Sequence, residues 1–336
     1  MKDIKNKQKF SRVLCLALCA VTVFVAIFGV ISVGAQDNKY EGLMLIPGGV
    51  PFGVKFSTEG VVVTGFCDID GVKAAQNPAY TAGLRPKDVI IAIDGKKISD
   101  GAELTRLVEE CRGREISLTY TRGGEEKVAR LTPIYSSSEG KYKTGIWIRD
   151  HGAGIGTVTY ILPESREFGG LGHGICDGES GELVKMSGGV VMDVKINSVK
   201  KGVSGDPGEI KGCFGIHRLG DLNCNTECGV FGKLTMLPAG LGSPIPVGKR
   251  SEVKCGGATL ITTLSNGARR EYSLDIVSVN KDVTGPKSFL IKITDPALIE
   301  ASGGIVQGMS GSPIIQNGKL VGAVTHVMIN DPTTGY

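Results

Sequence analysis

Short apolar runs, each broken within a few residues by a turn-forming residue, recur from residue 43 to the end of the chain. LMLIP, GVKF, VVVTGF, DVIIAI, ISLTY, GIWI, GTVTYIL, GGVVMDVKI, GATLITTL, YSLDIVSV, FLIKI and GSPII are each about one strand long, and Gly, Pro, Asn or Asp stands between them. Runs of this length between turn formers specify strands rather than amphipathic helices, so the chain is mainly β. The turns draw on 50 glycines in 336 residues, well above the usual share of roughly 7%, and without a collagen-like period. The length suits two domains and a tail. Net charge is +4, with several of the lysines near the N-terminus, so the remainder is close to neutral. Charge therefore gives no reason to expect nucleic-acid binding.

The tail is the N-terminal leader, residues 1–36. MKDIKNKQKFSR is basic, and VLCLALCAVTVFVAIFGVISVGA, residues 13–35, carries no charge. As a helix this stretch would be about 34 Å long, enough to span a membrane. Lysines before it predict an inside N-terminus and an exported remainder. Val33-Gly34-Ala35 offers small residues to a signal peptidase, but the span exceeds a usual signal core and favours an uncleaved anchor.

Residues 38–135 read as a first domain. NPAYTAGLRPKDVIIAIDGKKI (77–98) predicts a short helical turn, a strand and a hairpin at Asp94-Gly95. Asp100 caps the next helix with Glu103 three residues on, and Leu104, Leu107, Val108 and Cys111 keep helical spacing. These residues, AGLRPKDVIIAIDGKKI above all, resemble a PDZ domain. The resemblance puts Pro51, Phe52, Gly53 and Val54 at the loop that holds a peptide's terminal carboxylate, beside a strand edge that accepts a peptide strand. The alternative is a PDZ fold serving as a spacer or lid.

Residues 145–336 read as an all-β barrel or sandwich, with PALIEASGGI its one helical stretch. GMSGSP places Ser310 on a tight glycine loop. A hydroxyl nucleophile needs a base, and the base a carboxylate. Four histidines compete. His151 and His217 sit in ordinary surface settings, and the residues alone separate His173, in GGLGHGICDG, only modestly from His326 in VTHVMIND. Asp295 ends a strand in LIKITDP, with Asp177, Asp275 and Asp282 as alternatives. Cys213, Cys224, Cys228 and Cys255 have a CxxxC spacing too weak for a zinc cluster, so they read as free thiols, with no metal and no cofactor.

FGGLGHGICD, GDPGEIKG, TECGVFGKL and GGIVQGMSGSPIIQNGKLVGAVTHVMINDPTTGY resemble the SpoIVB family, the S55-type stage IV sporulation peptidases of endospore-forming bacteria. The order of anchor, PDZ and peptidase fits that family, whereas HtrA-like proteases place the PDZ last. The resemblance implies a chymotrypsin-like β-barrel peptidase with Ser310 as nucleophile, His173 as general base and then acid, and Asp295 as orienting carboxylate. It implies an oxyanion hole from the backbone amides of Gly308 and Ser310. Met309 replaces the aspartate that pairs with a freed N-terminus in many zymogens. It further implies export across the forespore inner membrane, self-processing, and cleavage of a membrane-anchored regulator of an intramembrane metalloprotease, which activates the late mother-cell sigma factor. The rivals are a non-enzymatic PDZ adaptor with a degenerate peptidase domain and an HtrA-like envelope quality-control protease.

Overall fold

The computed structural model describes residues 40–70, 75–177, 181–264, 267–280, 285 and 287–336. The apolar stretch 13–35 lies outside the described residues. No helix among the described residues is long and apolar enough to cross a membrane.

Strands dominate, as the short apolar runs predict, and they gather around three cores. The PDZ unit is built on strands Val89–Ile93, Ile116–Arg122 and Glu125–Leu131, paired in that order. Its helix α1 (Pro78–Thr81) is capped by Asn77. Its helix α2 (Gly101–Glu110) is capped by Asp100, which accepts the Glu103 amide at 2.8 Å, while the Glu103 carboxylate accepts the Ser99 amide at 3.2 Å. Leu104, Val108 and Cys111 are buried against Ile90, Ile116 and Leu118, the face their spacing predicts.

Pairing crosses the domain boundary expected from the sequence. The strand Pro51–Phe66 begins between strands Ile146–Thr157 and Met186–Lys200 and ends against Val89–Ile93. Strand 146–157 returns alongside it, from Ile146↔Phe66 to Thr157↔Pro51. Residues 44–57 therefore lie in the first sheet of the second half, with strands Tyr160–Ile161, Glu167–Leu171, Glu209–Thr226 and Gly229–Leu234. The PDZ unit is held between two strands that both continue into that sheet.

This pairing corrects one expectation. Pro51, Phe52, Gly53 and Val54 form no carboxylate-binding loop. Gly53 pairs with Ile155 on one side and Met192 on the other, so this stretch lies in a ladder on both sides, whereas an anion needs free amides. Phe52 packs edge-on against Phe168 and is 2% exposed.

The second sheet joins strands Gly256–Thr263, Arg269–Val279, Phe289–Ile293, Pro313–Gln316, Lys319–Ala323, Val327–Met328 and Asp331–Gly335. Leu260, Leu274, Ile291, Met309 and Ile314 fill its core together with Leu298 of helix α3 (Pro296–Ser302). The loop that carries Ser310 runs from α3 to strand 313–316 and meets the first sheet at Thr157 and Thr159.

Candidate active site

Ser310 lies between the two sheets. Its Oγ donates to the Thr325 carbonyl at 3.3 Å. Facing it is Gly172, the residue after strand 167–171. A Cβ on Gly172 would stand 2.2 Å from Ser310 Oγ, and the backbone there has φ +133°, so only glycine fits. His173 follows directly and is exposed. The structure thus brings Ser310 and the His173 segment together from different sheets.

His173 Nδ1 lies 3.1 Å from the Gly174 carbonyl, and its ring centroid is 6.4 Å from that of His326. His326 Nδ1 meets Thr325 Oγ1 at 2.9 Å. Burial, then Lys287 and His173, push the His326 imidazole below its ordinary value. Among the described residues, neither ring is hydrogen-bonded to Ser310 Oγ. The two histidines that the sequence barely separates thus lie side by side near one serine.

The loop backbone is tightly specified. Met309 N–H donates to Val306, Gly311 N–H to Val324 and Ser312 N–H to Met309. The Gly308 carbonyl accepts from Thr157 Oγ1 at 2.8 Å and the Gly311 carbonyl from Thr159 Oγ1 at 2.7 Å. Among the described residues, the amides of Gly308 and Ser310 have no hydrogen-bond partner. Two spare N–H groups on one loop with a serine hydroxyl are what a developing oxyanion requires.

Asp295 does not join this site. It is the N-cap of α3: Oδ1 accepts the Ala297 and Leu298 amides at 2.9 and 3.2 Å, and Oδ2 accepts the Ser273 amide at 3.2 Å. Among the described residues, it makes no ion pair with any histidine. In this structure Asp295 serves as a helix cap, and the orienting role expected for it has no hydrogen-bond or ion-pair contact to either imidazole among the described residues. Asp177 accepts from Arg149 at 2.5 Å, and Asp275 pairs with Lys292 in register across the second sheet. Asp282 lies outside the described residues. His151 contacts Asp150 and Ser57, and His217 contacts Asp193, so each of these exposed rings has its own partners.

The sequence reading missed Gly172, Thr157, Thr159 and Thr325. The two threonines in GTVTYIL had one signal: a spacing of two puts both on one face of a strand. The described cysteines are free, including Cys213, Cys224, Cys228 and Cys255. Among the described residues, no group of three or more His, Cys, Asp or Glu side chains is placed to hold a metal ion.

Residues 140–336, more than half the chain, match the SpoIVB peptidase S55 family, and residues 32–132 match a PDZ domain. The chain belongs to the SpoIVB peptidase family. The two matches lie in the order PDZ domain, then S55 peptidase domain. A "Probable CtpA-like serine protease" of Staphylococcus aureus is 45% identical over 58 residues, 16% of this chain; the chain spans only 12% of that relative. The active form of the Rv3671c protease from M. tuberculosis aligns with 55% of this chain and 68% of its own, at TM-score 0.30 and 16% identity. The PDZ domain of an SdrC-like protein from Listeria monocytogenes aligns with 27% of this chain and 87% of its own, at TM-score 0.22 and 19% identity. Scores this low carry no weight for this peptidase.

Proposed function

We propose that Ser310 is the nucleophile of this peptidase, that His173 takes its proton and returns it to the leaving amine, and that the Gly308 and Ser310 amides hold the tetrahedral oxyanion. The observation that carries the reading is the loop itself: a serine hydroxyl and two amides, unpartnered among the described residues, sit within three residues, directly against the segment that bears His173. The family supplies the chemistry. Ser310 Oγ attacks the scissile carbonyl as its proton passes to the imidazole, the tetrahedral intermediate collapses to an acyl-enzyme as the amine leaves protonated, and water completes hydrolysis. Two sheets, one bearing the His173 segment and the other the Ser310 loop, support the chymotrypsin-like reading that the family resemblance implies.

The family resemblance supports a biological setting. The peptidase is exported across the forespore inner membrane and first tethered through residues 13–35. It processes itself and cleaves a membrane-anchored regulator of an intramembrane metalloprotease, so that the late mother-cell sigma factor is activated. A second reading is favoured by one observation: Ser310 Oγ donates to the carbonyl of Thr325, the residue before His326, so His326 is the base in place of His173.

The test compares wild type, Ser310→Ala, His173→Ala and His326→Ala for covalent labelling by a fluorophosphonate and for self-processing on a gel. Wild type should label and self-process, Ser310→Ala should do neither, and His173→Ala should lose far more than His326→Ala. Equal labelling of wild type and Ser310→Ala would refute the nucleophile assignment. A larger loss in His326→Ala would install the second reading.

A further inference from the structure

Two buried threonines of the first sheet hold the nucleophile loop of the second. Thr157 ends strand 146–157 and Thr159 follows two residues later; they are 3% and 0% exposed. Thr157 Oγ1 donates to the Gly308 carbonyl at 2.8 Å. Thr159 Oγ1 donates to the Gly311 carbonyl at 2.7 Å and accepts the Leu171 amide at 2.9 Å. Leu171 stands two residues before His173, so one hydroxyl ties the serine loop to the histidine segment. The Thr159 backbone is itself fixed: its N–H donates to Gly169 and its carbonyl accepts from Gly48.

The effect on the loop can be followed one peptide plane at a time. The plane joining Gly308 to Met309 is pinned at its carbonyl by Thr157 and at its N–H by Val306. The plane joining Gly311 to Ser312 is pinned at its carbonyl by Thr159 and at its N–H by Met309. The plane between Ser310 and Gly311 is fixed through the bond from Gly311 N–H to Val324. With these planes set, the Gly308 and Ser310 N–H groups are left on the loop without a partner among the described residues. Releasing the Gly308 carbonyl would let its plane rotate, and the spare donors would no longer be held in place. Threonine suits the task better than serine, because the branched Cβ restricts χ1.

We infer that Thr157 and Thr159 are positioning residues for catalysis: they set the carbonyls flanking Ser310, so that its hydroxyl, the two free amides and the His173 segment keep one relative geometry. This rests on the reading of Ser310 as nucleophile. Neither threonine touches the reacting atoms, so each acts through the loop. A loop displaced by about an ångström loses on the order of 10²-fold in rate, while affinity for a ligand held elsewhere is unaffected.

The test uses the full chain and a fluorophosphonate probe, which reports the maximal labelling rate at Ser310 separately from the apparent affinity for the probe. Thr157→Val and Thr159→Val keep shape and remove the hydroxyl; Thr159→Ser keeps the hydroxyl and removes the methyl. The maximal labelling rate should fall at least tenfold in Thr159→Val and less in Thr157→Val, which loses one bond. Affinity should stay within twofold, and Thr159→Ser should recover most of the rate. Should Thr159→Val fail to fold, Thr157→Val carries the same test with a single bond removed. Labelling within twofold of wild type in a folded valine variant would overturn the inference. So would equal losses in Thr159→Val and Thr159→Ser, since the hydroxyl would then not matter. Wild type that fails to label would overturn the nucleophile reading itself, an outcome distinct from labelling that the threonines do not affect.

Discussion

Replacing Gly172 with alanine would push on the Ser310 hydroxyl alone. The new Cβ would lie 2.2 Å from Ser310 Oγ, where side chains keep at least about 3.0 Å, so the hydroxyl must retreat by roughly 0.8 Å. Its next neighbours, Ser310 Cβ at 3.4 Å and the Gly311 nitrogen at 3.6 Å, are ordinary contacts. The hydroxyl can rotate away without disturbing the core, so the clash bears on activity more than on stability. Stability is reduced separately by the φ of +133°, a conformation that costs a residue with a side chain about 1–3 kcal/mol. Misplacing a nucleophile by nearly an ångström reduces kcat/KM by on the order of 10²-fold. The assay is the fluorophosphonate labelling rate beside the midpoint of urea unfolding. Ser310→Ala serves as a second background, because it removes the oxygen that clashes, and there Gly172→Ala should cost no more stability than in wild type. Gly172→Ala labelling within twofold of wild type would refute the placement of Gly172 against the serine.

Three further outcomes follow from particular contacts. Asp295→Ala should lower stability by about 0.5–2 kcal/mol through loss of the α3 cap and leave most activity; loss of activity as complete as in His173→Ala, at unchanged stability, would restore an orienting role to Asp295. In the PDZ unit, Asp88 is 1% exposed and accepts from Arg122 at 2.6 and 2.7 Å and from the Arg85 amide at 2.8 Å. Arg122 is partly exposed and can be rehydrated, so Asp88→Ala should cost about 1.5–3 kcal/mol by urea unfolding, the range for hydrogen bonds to a charged group. His326, held below 6.5 mainly by burial, takes up its proton on unfolding, so its contribution is present above that pH and is lost as pH falls through the folded-state value. The stability difference between wild type and His326→Gln should accordingly shrink as pH is lowered from neutrality, and a difference that grows would reverse the sign.

What the sequence disclosed depended on how far apart the partners lie. Helix α2 was legible because its cap, Asp100 with Glu103, and its buried stripe, Leu104, Val108 and Cys111, lie within one short segment. The Ser310 loop was legible for the same reason. PFGV misled because strand or loop is decided there by residues about a hundred positions away, Ile155 and Met192 flanking Gly53. The cap formed by Asp295 was passed over for a different reason. Asp followed by Pro296 is a helix-start signal, and the resemblance to a triad carboxylate outweighed it. Thr157 and Thr159 were hidden because the carbonyls they hold lie 151 and 152 positions further along the chain.

Strand 146–157 gives one more consequence, because it starts in the PDZ unit and ends at the Ser310 loop. Asp150 anchors its PDZ end: Oδ2 accepts the Gly101 amide at the start of α2 at 2.5 Å. Seven residues later, ~23 Å along an extended strand, Thr157 donates to Gly308. The ladder to strand 51–66 is interrupted between Arg149 and His151 and then runs unbroken from His151↔Ser57 to Thr157↔Pro51, so a shift of α2 at Asp150 reaches the loop only through that continuously paired stretch. Asp150→Ala removes a charge-assisted bond worth about 1.5–3 kcal/mol and frees that end of the strand. Asp88→Ala weakens the same PDZ unit without removing a side chain of strand 146–157. If the strand carries position from one end to the other, Asp150→Ala should slow fluorophosphonate labelling several-fold under conditions where both variants remain folded, while Asp88→Ala should not. Equal labelling rates in the two variants would mean that the PDZ end of the strand moves independently of Ser310, and that Thr157 takes its own position from the first sheet alone.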